Sequence, residues 1–153
     1  MTRRLIAKKR PSDIRKEHLS EPALNGDSRR LVEEGIRLFN NGKYWAAHEV
    51  WEEVWRGCED DSRIFFQGII QAAAGYHLLF ESPRLKGAQR NFAKALEKLD
   101  LFSPDFLGMN VEAMRGNVRT TLAMLESVGP KDEMPHCSPP TIRKSRRRSF
   151  PDQ

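Results

Sequence analysis

From Ile64 to Phe80, seventeen consecutive residues carry no charge, and no other feature limits the fold as much. Read as a helix, this stretch is apolar on every side. Such a helix belongs at the centre of a bundle or in a membrane. A span needs about 20 predominantly apolar residues, and Gln67, Gln71 and His77 interrupt this one. The sequence therefore predicts a central helix from about Arg63 to Glu81. Glu59-Asp60-Asp61-Ser62 opens it, placing negative charge at the positive end of its dipole.

The stretch before it, Lys43 to Gly57, holds all three tryptophans within KYWAAHEVWEEVWRG. At about 100° per residue, Tyr44, Ala47, Val50, Trp51, Val54 and Trp55 form one buried arc. Glu49, Glu53 and Arg56 point away from it. His48 and Glu52 sit one turn apart at the seam, and Trp45 falls on the polar side. Gly42 and Gly57 bound the helix.

The other elements follow from caps and stripes. Asp27 or Ser28 is expected to cap a first helix running to about Asn41, with Leu31, Val32, Ile36, Leu38 and Phe39 inward. Ser82 and Pro83 are expected to open a fourth, whose stripe is Leu85, Ala88, Phe92, Ala95, Leu96 and Leu99. Its late lysines, Lys94 and Lys98, suit the dipole. Asn110 is expected to cap a fifth, with Val111, Met114, Val118, Leu122 and Leu125 inward, stopped at Gly129-Pro130. No stretch alternates long enough for a convincing strand. The expected fold is all-α: five mostly antiparallel helices around the apolar third.

Charge divides the chain into an arm, a body and a tail. Residues 1–20 carry seven basic and two acidic side chains, and residues 131–153 carry six and three. The stretch 21–130 has thirteen basic against sixteen acidic, so the basic isoelectric point describes the ends. The expected organisation is a basic arm over 1–26, a helical domain over 27–129, and a disordered Pro/Arg-rich tail over 130–153. Nucleic acid could then be met only through the tails, by Arg146-Arg147-Arg148 and the N-terminal arm. Cys58 and Cys137 read as free thiols of a reducing compartment. Leu5-Ile6-Ala7 is too short for a secretory signal core, and Asp13 and Glu17 argue against a plastid transit sequence, so the cytoplasm is the expected location.

Gly42, Ala47-His48-Glu49, Glu52, Trp55, Gln67-Gly68-Ile69-Ile70-Gln71, Ala73, His77 and Gly87-Ala88 carry a resemblance. In order and spacing they resemble the family called domain of unknown function 309, small all-helical proteins, over about residues 31–100. The resemblance implies a fold and a site, without an activity. A weaker likeness is to the tetratricopeptide repeat. Gly35, Gly42, Tyr44 and Ala47 follow at spacings of seven, two and three, and Ala47–Trp51 recurs as Ala88–Phe92. Glu34 stands where that repeat has leucine and Glu59 where it has proline. The two hairpins are also 41 residues apart, against about 34 in the repeat.

Buried amides need partners, or they cost about 1–3 kcal/mol each. Gln67 and Gln71, one turn apart, are expected to meet His48 and Glu52 in one polar network. His77, about 80° round the helix from the glutamines, is expected to face a different neighbour. The candidate polar site is His48, Glu49, Glu52, Trp55, Gln67, Gln71 and His77. A divalent metal on His48 and Glu52 is the alternative, with the third ligand missing. Acid/base hydrolysis by the same pair is another, with no nucleophile in sight. The expected function is that of a non-enzymatic interaction or small-ligand module without a cofactor, with an unidentified protein or small-molecule partner.

Overall fold

The computed structural model describes residues 10–15, 19–129 and 134–145. α1 (Gly26–Asn40) is capped by Asn25, whose side chain accepts from the Ser28 amide at 2.7 Å. The cap thus lies two residues before the earlier of the expected ones. Val32, Gly35, Ile36 and Phe39 face inward. Gly42, at φ 77°, reverses the chain into α2 (Tyr44–Gly57), and the two helices form a hairpin. Gly35 makes that hairpin close. A Cβ there would fall inside the Trp51 indole, which is fully buried and donates its N–H to the Val32 carbonyl at 3.2 Å.

α3 (Ile64–Tyr76) follows a single 3-10 turn, Asp61–Arg63, and is buried on nearly every side, as its lack of charge requires. It gives way to a π-helical turn over His77–Glu81. There the Ser82 amide reaches the His77 carbonyl at 2.9 Å, and the Arg84 amide reaches Leu78 at 2.8 Å. Ser82 and Pro83 therefore finish the central helix, and α4 (Leu85–Leu99) starts later than expected. The α3–α4 contact repeats the first hairpin's device. A Cβ on Gly75 would lie 2.6 Å from the Phe92 ring.

β1 (Asp105–Phe106) and β2 (Met109–Asn110) make a two-residue hairpin not foreseen from the sequence. Its turn, Leu107-Gly108, has φ of 49° and 77°, the conformation that matches strand twist in tight hairpins. α5 (Val111–Glu126) then begins, with Asn110 as its cap accepting from the Ala113 amide at 3.0 Å. Buried Arg115 ties α5 to the end of α4 by donating to the Leu99 and Phe102 carbonyls at 2.9 and 2.6 Å. The Leu99 carbonyl is one of the orphan acceptors of the helix C-terminus, and that of Phe102 belongs to the turn after it.

Described parts of both end segments pack on the body. Residues 134–145, assigned to a disordered tail, form a strap on the body. Asn40 clasps Ile142 both ways, accepting from its amide at 2.7 Å and donating to its carbonyl at 3.1 Å. Lys144 bridges antiparallel to Met109 and pairs with Glu33 at 2.7 Å. Ile142 is buried, and Met134 and Cys137 pack on the core. Proline richness removes regular structure, but it leaves the carbonyls and remaining amides able to pair with a hairpin edge. In the arm, Pro22 is buried, Leu19 and Leu24 pack on the core, and Glu21 accepts from the Leu107 amide at 2.7 Å. Residues 1–9, 16–18, 130–133 and 146–153, with the arginine run, lie outside the described residues. Among the described residues no helix is long and apolar enough to cross a membrane.

Candidate functional site

A cavity of about 180 Å³ opens where α2, α3 and α4 meet. Each helix contributes one polar stripe, because the apolar arcs meet in the core and leave their borders at the surface. α2 supplies His48, Glu52 and Trp55; α3 supplies Gln67, Ile70, Gln71 and Ala74; α4 supplies Asn91 and Lys94.

Glu52 is the electrostatic hub of this seam. One carboxylate oxygen lies 3.2 Å from His48 Nε2, and the other accepts from Arg56 at 3.3 Å. Both contacts are one helical turn, the spacing at which helix side chains meet. Trp55 donates its indole N–H to Gln67 Oε1 at 3.1 Å. The buried Arg63 guanidinium lies over the same indole, 5.4 Å from the ring centre. Asn91 turns its amide N–H back to the Gly87 carbonyl at 2.9 Å. Gln71 Oε1 is sealed from solvent and accepts no hydrogen bond from any described residue.

Five of the seven candidate residues line this cavity: His48, Glu52, Trp55, Gln67 and Gln71. Glu49 does not; it is exposed on the outer face of α2, since one residue past His48 is about 100° round the helix. His77 sits elsewhere too. Its ring is 4.9 Å from that of Trp45, and its Nδ1 lies 3.1 Å from Glu81 Oε1. Glu81 Oε1 also accepts from the Trp45 amide at 3.0 Å. Trp45, 44% exposed, stacks on His48 at 4.4 Å and so joins the two histidines across the rim. Of the two glutamines, Gln67 Oε1 accepts from Trp55, while Gln71 Oε1 accepts no hydrogen bond from any described residue.

Residues 32–91 match the family model for Domain of unknown function (DUF309). The match agrees with the resemblance read from the sequence, and the all-helical fold is consistent with it. Every residue lining the cavity except Lys94 falls inside the DUF309 segment. α5 and the strap lie outside it. No curated protein matches the chain.

Asn91 and Lys94 were not foreseen as site residues. Their three-residue spacing was visible, but only the packing of α4 on α3 brings them to the glutamines. Among the described residues no group of three or more His, Cys, Asp and Glu side chains is placed to hold a metal ion. His48 and Glu52 alone fall short of the three protein ligands of an open zinc site, so no chemical step is assigned to a metal. The cavity's lining holds no serine, threonine or cysteine.

Proposed function

We propose that the DUF309 segment is a non-enzymatic recognition module whose α2–α3–α4 cleft binds a small amide or amino-acid-like molecule. The observation that carries this reading is Gln71: a carbonyl oxygen buried in the wall of a cavity without a donor is an acceptor held ready for one. Size and charge favour the same class of ligand. A volume of about 180 Å³ lies below the roughly 300–1,000 Å³ of drug-sized sites. Lys94 at the rim suits a carboxylate or carbonyl. Glu52 is already shared between His48 and Arg56, so the cleft has little spare negative charge for a bare cation.

The test is a titration with L-glutamine and L-asparagine, followed by the backbone amide signals of Glu52, Gln67 and Gln71. Saturable shifts that vanish in His48→Ala and Gln71→Leu are expected. Their absence for both probes would remove the reading.

The 3.2 Å His48–Glu52 contact favours one second reading, an acid/base hydrolase-type enzyme. It would require turnover of an amide or ester that is abolished by both His48→Ala and Glu52→Gln, whereas a recognition module binds without turnover.

A further inference from the structure

A second, larger cavity lies away from this cleft, between α5 and the strap, and encloses about 670 Å³. That volume is within the range of ligand sites. The α5 face beneath the strap is small and polar, with Ala113, Asn117, Thr120 and Thr121 at helical spacing, while the apolar face of the same helix is turned into the core. The strap crosses above it with His136, Ser138, Thr141 and Arg143.

Three observations define what would fit. Tyr76 lines this cavity and is only 1% exposed, yet its hydroxyl has no hydrogen-bond partner of normal geometry among the described residues. Nearby Thr121 donates its own hydroxyl proton to the Asn117 carbonyl at 2.7 Å. Burial pushes the Tyr76 hydroxyl well above the ordinary tyrosine value, with Thr121 pulling it only part-way back, so it stays a neutral donor. The lining contains Arg143 and His136 but no aspartate or glutamate, and Arg143 makes no ion pair among the described residues. A guanidinium without a carboxylate is suited to bidentate phosphate recognition. The remaining lining, hydroxyls and side-chain amides, suits the hydroxyl groups of a polyol.

We infer that the space beneath the strap is a binding site for a small phosphorylated, hydroxyl-bearing molecule of the sugar-phosphate class. Arg143 meets the phosphate, and the Tyr76 hydroxyl donates to an oxygen at the cavity floor. The strap is then part of the site, and its clasp on Asn40 holds Arg143 in place.

The test uses the full chain and ribose 5-phosphate, with ribose and inorganic phosphate as the two half-probes. Calorimetry and the amide signals of Ala113, Asn117 and Cys137 provide the readouts. Saturable binding of ribose 5-phosphate is expected, at least about tenfold tighter than either half-probe. Tyr76→Phe and Arg143→Gln should each weaken it by about tenfold. Neither variant should lower the thermal midpoint, because Tyr76→Phe keeps the ring and removes only an unsatisfied hydroxyl. Three results would overturn the inference: no saturable shift at those amides, binding undiminished in both variants, or inorganic phosphate or ribose binding as well as ribose 5-phosphate. Both variants leave the α2–α3–α4 cleft intact, so this result and that of the amino-acid titration are independent.

Discussion

The two helical hairpins, α1–α2 and α3–α4, are built alike and serve different ends. In each, a glycine on the first helix admits an aromatic ring of the second: Gly35 takes Trp51 and Gly75 takes Phe92. In each, an alanine buried to 0% exposure precedes that ring by one turn, Ala47 and Ala88. They differ in polarity. Trp51 has an N–H, and it is satisfied by the Val32 carbonyl. Phe92 needs no such partner and packs edge-on against Tyr76, with ring centres 4.7 Å apart. α1 and α2 each keep a wet face, whereas α3 has almost none. The first hairpin is thus an amphipathic layer, and α3 of the second supplies the core that it covers, with α4 amphipathic on the other side. Polar side chains are forced together along the line where layer and core meet, and the cleft lies on that line.

The comparison is tested first at the glycines. Gly35→Ala should cost about 3 kcal/mol or more, since overpacking a rigid indole also threatens its hydrogen bond. Gly75→Ala should cost less, about 1–3 kcal/mol, because a phenyl ring can shift without losing a polar partner. Urea unfolding of both variants measures the gap; equal losses would mean that the indole hydrogen bond contributes nothing.

Trp55→Phe is next. It removes the indole N–H that donates to Gln67 Oε1, a loss of about 1–2 kcal/mol. A thermal midpoint lower by roughly 2–6 °C is expected for a chain of this size. Asn40→Ala should have a smaller effect on global stability, about 1 kcal/mol, but a clear local one. Losing both bonds to Ile142 should make the strap a preferred site of limited proteolysis.

The smallest effect is expected at Glu112, whose carboxyl the neighbouring Arg115 holds below the ordinary value of 4.5. A carboxylate depressed in the folded state contributes stability above its unfolded pKa and loses it as pH falls through the folded value. Glu112→Gln should therefore be slightly less stable at neutral pH, and the difference should close below pH 4.5. Melting curves across that window check the sign.

Much of the fold was legible because its signals are local. Seventeen residues without charge identify the central helix, Asn110 announces its cap, and the α2 arc follows from 100° steps. The α1 cap was misplaced because Asn25, Asp27 and Ser28 are all competent capping residues, and only backbone geometry chooses among them. The strap was illegible for a different reason. Its order comes from Asn40, a hundred and two residues away, and from the edge of a hairpin too short to leave a periodic pattern. Within the site, His48 and Glu52 could be paired from spacing alone. Asn91 and Lys94 required the packing of α4, and the unmatched oxygen of Gln71 is a property of three dimensions only.

That oxygen offers the most direct test of a cleft shaped for a ligand. The measurement is the thermal midpoint of Gln71→Leu beside the unaltered protein. If the amide is kept for binding, replacing it removes an unsatisfied buried acceptor, and the midpoint should hold or rise by a few degrees. A fall as large as that of Trp55→Phe would contradict the account, because Gln71 would then be holding the helices together.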